Sequence, residues 1–186
     1  SDVCSSDLYL EGKSDPNIIP EDFWDEALYL KYFSLCKIEV IPEQYSTKEF
    51  YMKALQMNVD CFKNVPIQII DREMSLLAVK KDGRMLEYVP IHLRDRQICL
   101  TAVKRWGSML LHVPEHLRDY EMYLIAVTAW AAMLEHMPDD LKDRQICLIA
   151  VKKNGSMLHN VPIQFRDYEI CMTAVKTCGR MVRFVY

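Results

Sequence analysis

Cysteine is the side chain in this sequence best suited to metal binding or redox chemistry, and three cysteines recur at regular spacings. Cys99, Cys147 and Cys171 are separated by 48 and then 24 residues, which would place them in one line if the chain is built from stacked repeats. Stacked helices lie about 8–10 Å apart, whereas each sulfur ligand lies about 2.3 Å from a bound zinc ion. We therefore predict that these thiols pack in a core rather than bind a metal.

Histidine is the second candidate for metal binding or acid–base chemistry. His112 and His116 have the i, i+4 spacing of a metal-binding pair on one helix, but Pro114 lies between them and would interrupt that helix. The histidines show no pairing with an acid or a nucleophile that indicates catalysis. The sequence also lacks a Gly-rich phosphate loop, a Gly-x-Ser-x-Gly elbow and a His-Glu-x-x-His helix. We predict no catalytic residue, no metal and no cofactor, and expect that the chain is not an enzyme.

Two tryptophans are candidates for contact with a binding partner. Trp106 and Trp130 are 24 residues apart and each precedes the same repeat position, Gly107 or Ala131, so they would lie side by side on successive layers. Tryptophan is enriched in binding hot spots, and we predict that this pair contacts a protein or peptide partner if the rings are exposed. Packing of the indoles at a helix end is the alternative.

A series of basic residues, each directly before a recurring aspartate, is the other candidate contact surface. Such a ladder could line a groove for an acidic peptide or for a phosphate backbone. Alternatively, each cation pairs with acidic residues of the neighbouring repeat or remains solvated, which stabilises a protein by about 0–1 kcal/mol. The series consists of Arg94, Arg118, Lys142 and Arg166.

A 24-residue repeat must position all of these side chains. Six of the eight prolines recur at this interval, and an aspartate, an alanine and a glycine recur in the same register. A longer period of 48 residues is superimposed on the 24-residue repeat, because residues 95–113 match residues 143–161 at 14 of 19 positions. A 48-residue pair is therefore a super-repeat. The prolines are Pro42, Pro66, Pro90, Pro114, Pro138 and Pro162.

Within one repeat the pattern predicts a helical hairpin. Asp95 is a good N-cap, and apolar residues at i, i+4 spacing follow it. Gly107 is expected to end the helix in the left-handed conformation, and a second, shorter helix is expected over residues 108–112 before Pro114 stops it. One such pair of short helices cannot cover its own apolar face, so stability must come from stacking repeat upon repeat.

The predicted fold is an all-α solenoid of about six to seven of these helical-hairpin repeats. The array would cover residues 20–186, with a degenerate first copy over residues 20–41 and an end at Tyr186 in the middle of a repeat. Residues 1–19 form a non-repeat segment. Within it, residues 1–8, including Cys4, are expected to be a sequencing artefact because they are polar and unrelated to the rest.

The residues between Pro138 and Pro162, PDDLKDRQICLIAVKKNGSMLHNVP, carry a resemblance to a known family. They resemble the repeat called domain of unknown function 4116, from bacterial and giant-virus proteins, and the similarity covers about residues 42–186. The resemblance implies a helical repeat array, found in multi-repeat bacterial proteins including some secreted effectors, and it implies no activity. Ala131 replaces the expected glycine and Thr128 the expected lysine, which puts the helix end of that repeat in question.

Net charge, hydropathy and cysteine content disfavour several classes of function. A net charge of −3 and a pI near 6.0 provide no general attraction for polyanions, and no apolar run approaches the ~20 residues of a membrane span. Seven cysteines without a Cys-x-x-Cys pair favour a reducing cytoplasm. We predict a non-catalytic protein-interaction or scaffold module, with partner and oligomeric state open. The alternatives are a repeat region of a larger enzyme or secreted effector, and, less favoured, a single-stranded nucleic-acid binder.

Overall fold

The structure, a computed structural model, describes residues 15–184. The expected artefact at residues 1–8, with Cys4, lies outside the described residues. Within residues 15–184 all regular structure is helical, either α or 3-10, and there is no strand. The chain forms two compact units that meet between Leu93 and Arg94 in the sequence. The predicted all-α repeat solenoid is confirmed.

Each repeat contributes one α-helix of nine or ten residues. Each helix begins after a residue whose side-chain oxygen accepts a hydrogen bond from the backbone N–H three positions later, which satisfies a free amide of the first turn. Asp119, for example, accepts from the Met122 amide at 2.9 Å. The capping role predicted for the recurring aspartate is therefore confirmed. The helices are α1 (Glu26–Ser34), α2 (Lys48–Met57), α3 (Arg72–Lys81), α4 (Arg96–Arg105), α5 (Tyr120–Ala129), α6 (Arg144–Lys153) and α7 (Tyr168–Thr177). Their N-caps are Asp25, Thr47, Asp71, Asp95, Asp119, Asp143 and Asp167.

The second element of each repeat from α2 onward is a six-residue 3-10 helix. In the repeat of α4 it covers Gly107–His112, so the predicted second helix is present but starts at the glycine. The predicted left-handed end at Gly107 is wrong. The chain turns instead at Trp106, whose backbone is extended (φ −139°, ψ 100°), and Gly107 has no positive φ. The other such helices are Val59–Asn64, Gly83–Tyr88, Ala131–His136, Gly155–Asn160 and Gly179–Phe184.

Glycine is present at this position because neighbouring repeats approach closely there. A Cβ atom on Gly107 would lie 2.6 Å from the backbone oxygen of Ala126 in α5, and one on Gly155 would lie 2.5 Å from that of Ala174 in α7. The repeat with Ala131 instead of glycine keeps the same geometry, since α5 also has ten residues and Trp130 is also extended (φ −143°, ψ 105°). The departures at Thr128 and Ala131 therefore leave this helix end unchanged.

The same positions of each repeat build the core of the second compact unit. In α4, Ile98, Cys99, Ala102 and Val103 are fully buried, and so are their counterparts in α6. The repeated alanine is fully buried in every copy from Ala54 to Ala174. Because α4 contacts α5, α5 contacts α6 and α6 contacts α7, the predicted stacking of successive repeats is confirmed within this unit.

The first compact unit has a more aromatic core. Phe33 of α1 meets Tyr51 of α2 edge to face, with 5.3 Å between ring centroids, and Tyr32 takes the position that alanine has elsewhere. Within the predicted degenerate repeat, α1 thus forms a helix that packs against α2. Its end differs from the others, because Cys36 adopts the left-handed conformation (φ 54°) and the Asn58 amide donates to the Ser34 carbonyl at 2.8 Å.

Candidate functional site

The two tryptophans singled out from the sequence lie together in the second compact unit. Trp106 follows α4 and Trp130 follows α5, and both line one open groove of about 490 Å³. Their side chains are half exposed, at 48% and 50%. Gly107 brings the two segments together, since a Cβ atom added to it would lie 3.2 Å from the Cβ of Trp130. The predicted side-by-side placement is confirmed, whereas partner contact by these rings stays a prediction.

The repeat position that holds the tryptophans has a structural role in other repeats. Asn58, Asp82 and Asn154 each accept a hydrogen bond from the backbone N–H two residues later and so cap the following 3-10 helix. Trp106 and Trp130 make no such side-chain bond. A residue that satisfies a helix end is therefore replaced twice, on adjacent layers, by a large and half-exposed apolar ring.

The groove continues onto the surface of α5. A second depression, of about 400 Å³, is lined by Leu124, Ile125, Thr128 and Ala129 together with Lys104 of α4. Ala129 also lines the tryptophan groove, so the two depressions share a wall. Leu124 and Ile125 are half-buried. The combined surface is largely apolar.

The first compact unit has a larger depression, of about 610 Å³, between α2 and α3. Its lining includes Asp71 and Glu73, which both pair with Lys48, at 2.7 and 2.8 Å. Its acidic wall thus belongs to a contact between repeats. The depression has no aromatic residue in its lining, and we regard the tryptophan groove as the better candidate site.

The arginines before the capping aspartates donate hydrogen bonds to backbone carbonyls. Arg118 donates to Val113 at 2.8 Å and to Leu111 at 3.1 Å, and Arg166 makes the equivalent bonds to Val161 and His159 at 2.9 and 3.3 Å. These carbonyls lie at the end of a 3-10 helix, where intrahelical donors run out. Arg118 and Arg166 therefore stabilise the end of the preceding 3-10 helix. The sequence had led us to expect either pairing with acidic residues or solvation.

The two remaining members of the series make related contacts. Arg94 donates to the carbonyl of His112 at 2.6 Å. Lys142 pairs with Asp139 at 2.7 Å, and its side chain is only 7% exposed. Partner contact by Arg94, Arg118 and Arg166 stays a prediction, with part of each guanidinium group already engaged within the protein.

Sequence reasoning missed a set of bridges at the N-terminal ends of the α-helices. Arg96, the first residue of α4, binds both Asp119 and Glu121 at 2.9 and 2.5 Å. Arg144, 48 residues later, binds Asp167 and Glu169 at 2.6 and 2.5 Å. In the intervening repeat the hydroxyl of Tyr120 donates to Asp143 at 2.8 Å. The 48-residue super-repeat could have indicated these contacts, because arginine and tyrosine alternate at the first position of successive α-helices from α4 onward.

These bridges lower the pKa values of the capping aspartates. For Asp167, the hydrogen bond from the Ile170 amide and then the bond from Arg144 hold the pKa below its usual range. For Asp119, partial burial acts in the opposite direction, but the bonds from Arg96 and the Met122 amide outweigh it and the pKa is again lowered. Each aspartate therefore serves two contacts, as the N-cap of its own helix and as the acceptor for the preceding repeat.

Acid should weaken the protein through these aspartates. A carboxyl group with a lowered folded-state pKa stabilises the fold above its unfolded pKa of about 3.9, and this contribution is lost as the pH falls through the folded value. We expect the free energy of unfolding to fall from about pH 5 downward, and Arg144→Met to reduce the part of that fall due to Asp167. Urea unfolding at several pH values and carboxyl NMR titration would measure both effects. Arg180→Met, at an exposed arginine in the same unit, is the control; a pKa of Asp167 unchanged in Arg144→Met would contradict the assignment.

The three recurring cysteines lie in the core, whereas four of the five histidines, His92, His116, His136 and His159, are exposed. Cys99 and Cys147 are fully buried and Cys171 is 5% exposed, which confirms the predicted packing role. Burial raises the pKa of the Cys99 and Cys147 thiols to about 11, so both are protonated at neutral pH. Among residues 15–184, no three histidine, cysteine or acidic residues form a group that could hold a metal ion.

Comparison with known proteins gives one result. The family model described as Domain of unknown function (DUF4116) matches residues 71–118, 119–166 and 143–186. Each full match spans two 24-residue repeats, and the last two overlap by one repeat, as expected if the model fits any adjacent pair. The curated proteins and the solved structures gave no match. In the part of the chain that the structure describes, no helix is long and apolar enough to cross a membrane.

Proposed function

This chain belongs to the DUF4116 family, and we propose that it is a non-catalytic module that binds a protein or peptide through the groove between Trp106 and Trp130. The family description assigns no activity, so the proposal depends on the groove itself. Stacked helical repeats present an extended surface on which a few side chains per layer can contact a partner.

The observation that supports this function most strongly is that Trp106 and Trp130 occupy a position at which other repeats have a capping residue. Asn154 caps its 3-10 helix, and a residue of this kind at an N-cap stabilises a protein by about 1 kcal/mol relative to one that cannot cap. Trp106 and Trp130 forgo that contribution and expose about half of their surface. Positions that depart from a local rule followed by the other copies are where functional residues are expected.

The repeat itself supplies the test variant, since asparagine occurs at the same position in Asn58 and Asn154. We expect Trp106→Asn and Trp130→Asn to change stability by no more than about 1–2 kcal/mol each, because the restored cap, which contributes about 1 kcal/mol, offsets part of the contribution of the half-buried indole. We also expect each variant to weaken partner binding by about tenfold or more, as for a hot-spot tryptophan. Urea unfolding would measure stability. A random peptide library displayed on phage and selected against the intact chain would supply the peptides whose binding is measured.

The control is a selection against the Trp106→Asn, Trp130→Asn double variant, which should remove the enriched peptides. Trp24→Phe serves as a matched control, because Trp24 lies in the first compact unit and packs against Tyr29 and Tyr32. Peptides that bind the double variant as well as the wild type would refute the proposed site. A large loss of stability in the single variants would instead show that the indoles serve packing.

A further inference from the structure

We propose that the tryptophan groove and the adjoining surface of α5 bind an acidic peptide segment with an apolar anchor. This inference rests on the proposed function and names the chemistry of its ligand. The two depressions described above supply the apolar part of the surface. The charges of the helices on either side supply the preference for an acidic ligand.

The apolar part of the surface arises because α5 lacks the cations found in its neighbours. Its last turn has Thr128 and Ala129, whereas α3, α4 and α6 each have two basic residues at these positions and α7 has one. Lysine or arginine in the last turn of a helix interacts favourably with the helix dipole. The absence of both cations in α5 removes that contribution and leaves Leu124 and Ile125 bordered by the uncharged Thr128 and Ala129. We infer that an apolar side chain of a ligand occupies this surface.

Basic residues end the helices on both sides of α5. Lys104 and Arg105 end α4, and Lys152 and Lys153 end α6; all four are exposed. Lys104 lines the α5 depression and Arg105 lines the tryptophan groove, so two of the four charges lie directly at the site. Positive charges at the ends of α4 and α6 complement a peptide in which acidic residues flank an apolar one, and such complementarity determines partner choice and association rate.

Single-stranded nucleic acid also combines negative charge with flat apolar groups, and tryptophans can stack on its bases. The structure favours a peptide because of the kind of side chain at the surface. The surface contains aliphatic side chains, Leu124 and Ile125, that cannot stack on bases.

The composition of the peptides selected from the displayed library tests this inference. We expect aspartate and glutamate to be enriched on both sides of an aromatic or aliphatic residue. Binding should weaken as salt is raised, because charges at an exposed surface are screened within about 8–10 Å at 0.1–0.15 M salt. An oligothymidylate should bind less tightly than the selected peptides. Tighter binding of oligothymidylate, or an enrichment of basic peptides, would overturn the inference.

Charge reversal provides the second measurement. The Lys104→Glu, Lys152→Glu double variant should weaken the acidic peptides by about tenfold or more and should bind versions with lysine in place of glutamate better than the wild type does. Lys176→Glu is the matched control, because Lys176 has the same position in α7, two helices away from α5. If binding of the selected peptides requires the tryptophans but is unchanged in both charge variants, the inference of an acidic ligand is wrong, whereas the proposed binding groove stands. If no peptide requires the tryptophans, the proposed function itself fails.

Discussion

Replacing Ala150 with leucine should lower the free energy of unfolding by about 1–3 kcal/mol, and Ala102→Leu should have a similar effect. Both alanines are fully buried, and α6, which contains Ala150, contacts α5 on one side and α7 on the other. The three additional carbon atoms of leucine have no space between these layers unless the helices move apart. Urea or thermal unfolding would measure the loss, with about 2–4 °C in Tm expected for each kcal/mol in a domain of this size.

Ala27→Leu is the control for this change. Ala27 lies in α1 on an exposed surface and borders an open depression with Leu30 and Lys53, so the larger side chain has room there. We expect its effect to stay within about 0.5 kcal/mol. Equal stability of Ala150→Leu and wild type would contradict close stacking of the repeats.

Sequence reasoning predicted those features in which one residue acts on its own repeat. Asp95 is an N-cap because its carboxylate reaches amides within four residues, so local sequence is enough to assign its role. The burial of Cys99 follows from the apolar residues on the same helical face. The position of Trp106 beside Trp130 follows from the repeat period alone, once the repeats are known to stack.

Contacts between repeats were harder to predict, because they depend on the distance and angle between layers. The bridge from Arg96 to Asp119 joins residues 23 apart, and the period does not show which cation faces which carboxylate. Arg118 was expected to meet acids or water, yet it bonds carbonyls five and seven residues earlier. The cap at Asn154 was overlooked although asparagine and aspartate recur at its position; a comparison of copies for capping residues would have found it.

The role assigned to glycine gives the second large effect on stability. Gly107→Ala should lower the free energy of unfolding by about 1–2 kcal/mol, since overpacking costs about 1–3 kcal/mol and the smaller unfolded-state entropy offsets about 0.4–1 kcal/mol of that. The added methyl group would meet the Ala126 oxygen at 2.6 Å. This oxygen accepts the Trp130 amide at 2.7 Å, so relief of the contact must shift the segment that carries Trp130. Urea unfolding would give the loss, and peptide affinity would report the disturbed groove.

Gly179→Ala is the control that distinguishes the steric contact at Gly107 from a general conformational requirement for glycine at this repeat position. A Cβ atom on Gly179 would meet nothing within 4 Å, and this residue has no positive φ, so only the entropy effect acts and stability should rise by about 0.4–1 kcal/mol. The opposite signs at Gly107 and Gly179 are the critical result, because a conformational requirement for glycine would destabilise both variants. Ala131 shows that the interface between α5 and α6 accepts a methyl group at this position. At the interface between α4 and α5 the same methyl group would have to displace the Ala126 carbonyl, at the expense of the close approach that places Trp106 next to Trp130.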